Sequence, residues 1–135
     1  MKTVLWGDND RDFLSQASKF LQTYFPDSEM CAVEDPQEVL AKAFERPYDV
    51  IITDFNYETG LNGIDVIRRI RQLDKSKPVY LCTNRIAGEH LRKRFNLTQP
   101  LELEAAKAEA TGVLSKMDMA SHPENFCKAI EKYLG

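Results

Sequence analysis

Asp8, Asn9, Asp10, Asp54, Thr83 and Lys116 are the residues of this chain whose types could do chemistry together. Four short apolar runs lead to them. Residues 3–7 empty into Asp8-Asn9-Asp10, and residues 50–52, within the stretch 48–63 (YDVIITDFNYETGLNG), deliver Asp54 to a polar loop closed by Gly63. Residues 79–82 end in Thr83-Asn84, and residues 112–114 end in Ser115-Lys116. If the runs are strands of one open α/β sheet, their carboxyl ends converge, and that is where such sheets keep their chemistry. Carboxylates with carbonyl oxygens suit Mg²⁺, and a lysine can balance the acids. Without any cation, carboxylates confined together force one pKa upward. Singly, each residue has a plainer reading: Asp54 could cap a turn and Asp10 the following helix.

The intervening segments must position these groups. Phe13, Leu14, Ala17, Phe20, Leu21, Tyr24 and Phe25 recur at helical spacing until Pro26 stops the pattern. Residues 30–33 form a weak strand. Asp35-Pro36-Gln37-Glu38 then combines an N-cap acid with a first-turn proline and opens a helix to about Phe44. Gly63 opens another, with Ile64, Ile67 and Ile70 on one face and Arg68, Arg69 and Arg71 mostly turned outward. Ser121-x-x-Glu124 with Pro123 reads as the capping signature of a last helix that faces Phe126, Ala129, Ile130, Tyr133 and Leu134 inward. Strand and helix alternating five times predict an α/β fold, a doubly wound five-stranded parallel sheet with helices on both faces.

With 135 residues and 43% hydrophobic content, the chain suits a single domain, residues 1–135, without a separate output domain. A net charge of −3 with dispersed basic residues gives no footprint for nucleic acid, although residues 85–94 are locally basic. No apolar run approaches the roughly 20 residues of a membrane span, and no signal peptide is evident, so a cytoplasmic protein is expected. Cys31, Cys82 and Cys127 are too scattered for zinc or disulfides and read as reduced thiols. His90 and His122 are too isolated for a metal site, and Trp6 reads as core.

Along nearly its whole length the sequence resembles the receiver domain of two-component response regulators, which share the flavodoxin-like fold. TVLWGDNDRDFL is similar to that family's first strand and acidic cluster, DVIITDFN to its phosphoacceptor strand, PVYLCTN to its switch-threonine strand and TGVLSK to its lysine strand. The resemblance implies a phosphorylation-dependent signalling switch. Asp54 would accept a phosphoryl group from a histidine kinase or phosphotransfer protein, Thr83 would be the switch hydroxyl, and Lys116 would contact the phosphate. Asp8, Asn9 or Asp10, Asp54 and the carbonyl of Asn56 would hold Mg²⁺. Such a domain catalyses its own phosphorylation and dephosphorylation without being a metabolic enzyme.

Several positions depart from the family pattern. Asn9 stands where a second acid is usual, with Asp10 as a shifted substitute. Tyr57-Glu58 replaces the common Met-Pro, in a loop one residue longer than usual, and Met117 replaces the proline that often follows the lysine. Val113 occupies the place of the switch aromatic, so the family's threonine–aromatic rearrangement cannot operate in that form. Thr83 and Lys116 are 33 positions apart, more than one short helix requires. An extra helical segment around residues 96–110 is expected, and the 85–110 region could bind an unknown downstream protein. Two alternatives stay open. One is a receiver-like interaction module with impaired metal binding. The other is a haloacid-dehalogenase-type phosphatase with Asp8 as nucleophile and Asp10 as acid/base, a reading that leaves Asp54 without a task.

Overall fold

Short β-branched runs alternate with amphipathic segments, and the computed structural model, which describes residues 1–58, 60–84 and 101–135, turns that pattern into a single parallel sheet. In chain order the elements are β1 (Lys2–Gly7), α1 (Arg11–Tyr24), β2 (Ser28–Val33), α2 (Pro36–Ala43), β3 (Val50–Asp54), α3 (Gly63–Leu73), β4 (Val79–Thr83), α4 (Leu101–Lys107), β5 (Gly112–Ser115), α5 (Lys116–Ser121) and α6 (Pro123–Leu134). The strands lie in the order β2-β1-β3-β4-β5, all parallel.

Burial explains which strands read clearly from sequence. β3 and β4 are buried at every residue and read as continuous apolar runs. β2 is an edge strand, mostly half-exposed, which accounts for its weak signal. Two cores flank the sheet. On one face α1 and α6 pack Phe13, Phe20, Phe126 and Ile130 against Val4, Trp6, Val50 and Ile52. On the other, α2, α3 and α4 pack Val39, Ile67, Ile70 and Ala105 against Leu5, Ile51 and Leu81. Trp6 is fully buried, stacked 5.9 Å from Phe126 and edge-on to Phe13 at 6.0 Å. Truncating Phe126 to alanine would remove that packing at a cost of about 3–5 kcal/mol.

The register aligns the functional strand ends. Gly7 pairs with Thr53, Asp54 with Cys82, and Thr83 with Ser115, so the residues just beyond β1, β3, β4 and β5 share one rim. Gly63 lets α3 start directly behind that rim. A Cβ there would run into the main-chain oxygen of Asp54 and into Leu81, so only glycine allows the approach.

Two expectations need correction. Ser121 does not cap the last helix: it ends α5, its hydroxyl donating to the Met117 carbonyl at 2.6 Å, while His122 stands at the start of α6 and makes no side-chain cap. α5 had no sequence expectation, because six residues carry too little periodicity to announce themselves. Arg71 turns inward. Its Nε donates to the Glu109 carbonyl at 2.7 Å, and its other nitrogens reach the Asp74 carbonyl and Thr111 Oγ1, clamping the end of α3 to the turn before β5. Of the expected extra segment, residues 101–107 are helical as α4, whereas 96–100, and the rest of 85–95, lie outside the described residues.

Candidate phosphoacceptor cleft

At the carboxyl rim lies an open cleft of about 300 Å³ lined by Asp8, Asn9, Asp10, Asp54, Asn56, Glu58, Thr83, Asn84 and Lys116. Every site residue read from the sequence is therefore brought to one place. Glu58 and Asn84 join them. Asn84 was visible as the residue after Thr83. Glu58 is carried in by a turn in which Asn56 Oδ1 accepts from the Glu58 amide at 3.0 Å, with Glu58 itself at φ 65°.

Asp8 is fully buried. Its Oδ1 accepts from the Asp10 amide at 2.9 Å, and its Oδ2 meets the Lys116 ammonium at 2.6 Å. Lys116 Nζ also lies 3.3 Å from Asp54 Oδ1 and 4.6 Å from the centre of the Phe13 ring, so one cation bridges two carboxylates above an aromatic face. Burial alone would push the lysine down, but Asp54 and Asp8 outweigh it and hold its pKa above the ordinary value. Asp54 is pushed up to about 7, chiefly by burial and then by the charge of Asp8, against the pull of Lys116 and the Phe55 amide. Asp54 thus titrates near neutral pH, a displacement of the kind common among groups in functional clefts.

Asp10 does what its plainer reading suggested. Its Oδ1 accepts from the amides of Asp12 and Phe13 at 3.0 and 3.1 Å and caps α1, although the residue still borders the cleft. Asn9 is half-buried at the same rim. Asn56 uses its side chain within its own turn, so what it can offer a cation is its main-chain carbonyl. Val113 is half-buried against the α2–α3 core.

Four carboxylates and one ammonium line the cleft, so its surplus is negative. Among the described residues no three acidic, His or Cys side chains form a metal-holding group by themselves. Two carboxylates, an amide and a main-chain carbonyl nevertheless fit Mg²⁺, which commonly takes one or two carboxylates and keeps several waters. The strain between Asp8 and Asp54 is what such a cation would relieve.

The sequence model described as "Response regulator receiver domain" matches residues 4–130. The chain belongs to that family. This receiver domain is also similar to solved structures of other receivers. The chemotaxis response regulator CheY4 of Vibrio cholerae has 26% identity and a TM-score of 0.75, with 99% of each chain covered. TrrA of Thermotoga maritima, solved in complex with Mg²⁺-BeF, has 25% identity and a TM-score of 0.72 over 96% of this chain and 99% of its own. TrrA bound to the histidine kinase ThkA, at 24% identity and a TM-score of 0.73 over all of both chains, shares the fold. No curated protein sequence matches the chain. As a receiver domain the chain is a phosphorylation-dependent signalling module, and the phosphatase alternative loses its support. No described helix is long and apolar enough to cross a membrane.

Proposed function

We propose that Asp54 is the phosphoacceptor of this receiver domain and that a histidine kinase or phosphotransfer protein is its donor. The observation that carries the reading is the bridge of Lys116 between Asp8 and Asp54 at the cleft floor, with Thr83 on the neighbouring strand end. An ionised Asp54 oxygen attacks the phosphorus of a phosphohistidine; the new P–O bond forms as the P–N bond breaks, its electron pair staying on that ring nitrogen, and the imidazole leaves neutral with the proton that its other ring nitrogen already carried. Lys116 neutralises charge that gathers on the phosphoryl oxygens, and the Thr83 hydroxyl donates to one of them. Asp8, Asn9 and the Asn56 carbonyl, with Asp54, would hold Mg²⁺. When bound, that ion supplies electrostatic shielding of the phosphate oxygens.

The test is the mass of the protein after incubation with acetyl phosphate and Mg²⁺. A phosphoryl increment on the parent that vanishes in Asp54→Asn supports the assignment. Equal labelling of the variant sinks it. Asn9 favours a second reading, an interaction module with weakened metal binding, because an amide lends a neutral oxygen where a carboxylate lends a full charge. Asn9→Asp separates the two: on the switch reading it only tightens Mg²⁺ binding that the parent already has, and on the module reading it creates binding that the parent lacks.

A further inference from the structure

Resting on the reading of Asn56 given above, we infer that Tyr57 is a positioning residue for the cleft, a buried phenol that holds the Asn56 carbonyl where a cation can use it. A ligand that is a main-chain carbonyl owes nothing to its own side chain. Its placement depends on what pins the residues on either side. Here both neighbours are buried aromatics, Phe55 at 0% and Tyr57 at 3% exposure, packed in the α2–α3 core. Beyond Tyr57, Glu58 and Gly60 are exposed and in the left-handed region and Leu61 and Asn62 are only half-buried, the next anchor being the capping box of Asn62 with Asp65 at the start of α3. Among the described residues Tyr57 is the last buried side chain before α3 begins.

The phenol is fastened by a chain of hydrogen bonds. Thr53 Oγ1 donates to the Asp54 carbonyl at 3.1 Å and shares a 2.7 Å hydrogen bond with the Tyr57 hydroxyl. The chain ends on the same Asp54 carbonyl against which Gly63 is packed. On its other side the hydroxyl fills the space that a Gly7 side chain would need, beneath the strand that leads to Asp8. One phenol therefore ties together the strand ends of Asp8 and Asp54 and the loop of Asn56. Such outer partners set how well ligands are held, and losing one typically weakens metal affinity roughly 10–100-fold.

The experiment is calorimetric titration of the unphosphorylated protein with Mg²⁺, comparing the parent, Tyr57→Phe, Thr53→Val and the double variant. Phenylalanine keeps the packing and loses only the hydroxyl. Expected is a roughly tenfold loss of Mg²⁺ affinity in each single variant. The double variant should be no weaker than either single one, because the two hydroxyls act as one unit. A merely structural hydroxyl would lower the melting temperature and leave the affinity at the parent's value, and that result overturns the inference while leaving Asp54 as acceptor untouched. A parent that takes up no Mg²⁺ overturns it together with the cation reading.

Discussion

Lys116 Nζ lies 2.6 Å from Asp8 Oδ2, closer than the 3.3 Å that separates it from Asp54 Oδ1. The lysine is thus held chiefly by the acid that is fully buried, and the proposed acceptor keeps the looser contact. An incoming phosphoryl group can draw on the ammonium without first breaking its main tether.

Lys116→Ala should therefore destabilise the metal-free protein, since it leaves Asp8 and Asp54 facing each other. Losing one member of a buried ion pair costs about 3–5 kcal/mol, and partial exposure of the lysine with proton uptake by Asp54 should reduce this to about 1–3 kcal/mol. Mg²⁺ should restore more stability to this variant than to the parent. Urea unfolding of both proteins in chelator and in Mg²⁺ measures the difference.

Asp54 gives the protein a pH-dependent weakness. With its pKa at about 7 in the fold, above an ordinary value of about 3.9, the native state holds the proton more tightly than the unfolded chain does. Stability therefore falls as pH rises above about 4 and levels off above about 7. Asp54→Asn removes the charge, so it should stabilise by about 1–3 kcal/mol at pH 8 and by almost nothing at pH 4. Melting curves of the two proteins across that range check it.

Gly63→Ala and Gly60→Ala should behave differently although both are loop-end glycines. A methyl at Gly63 meets backbone atoms of Asp54, which cannot yield cheaply, so a loss of about 3 kcal/mol and a weakened acceptor site are expected. At Gly60 nothing lies within 4 Å, and only the φ of +59° is strained, for about 1–2 kcal/mol. Chemical denaturation with parallel labelling of both variants tests the contrast.

Arg71→Met should destabilise by about 1–3 kcal/mol by stripping donors from the Glu109 and Asp74 carbonyls and from Thr111. Arg71→Lys should rescue little, because one ammonium cannot span acceptors that a planar fork reaches together. Their unfolding midpoints decide.

The strands and the cleft were legible because burial on both faces writes an unbroken apolar run, and a polar residue at the end of such a run is conspicuous. β3 with Asp54 and β4 with Thr83 show this most clearly. What escaped depends on direction in space. Arg71 follows Ile70 in a helix whose periodicity sent the arginines outward, and only a turn 38 residues later supplies the carbonyl that draws it in. Glu58 enters the cleft through a local turn, and Asp10 spends an oxygen on the amides of α1, choices that residue type leaves open. Ser121 matched a capping pattern by spacing alone, while the helix it closes was too short to be seen.

The strand order has a temporal consequence. β1 lies between β2 and β3, whereas β4 and β5 are added outward from β3 in the order in which the chain is made. A nascent chain that has emerged as far as α3 can already pair β1 with β3 and bring Asp8 beside Asp54, while Lys116 has yet to be synthesised. At roughly 5–20 residues per second, the two acids then wait several seconds for their counterion. For that interval, water or a cation drawn from it takes the place of the ammonium between the two acids.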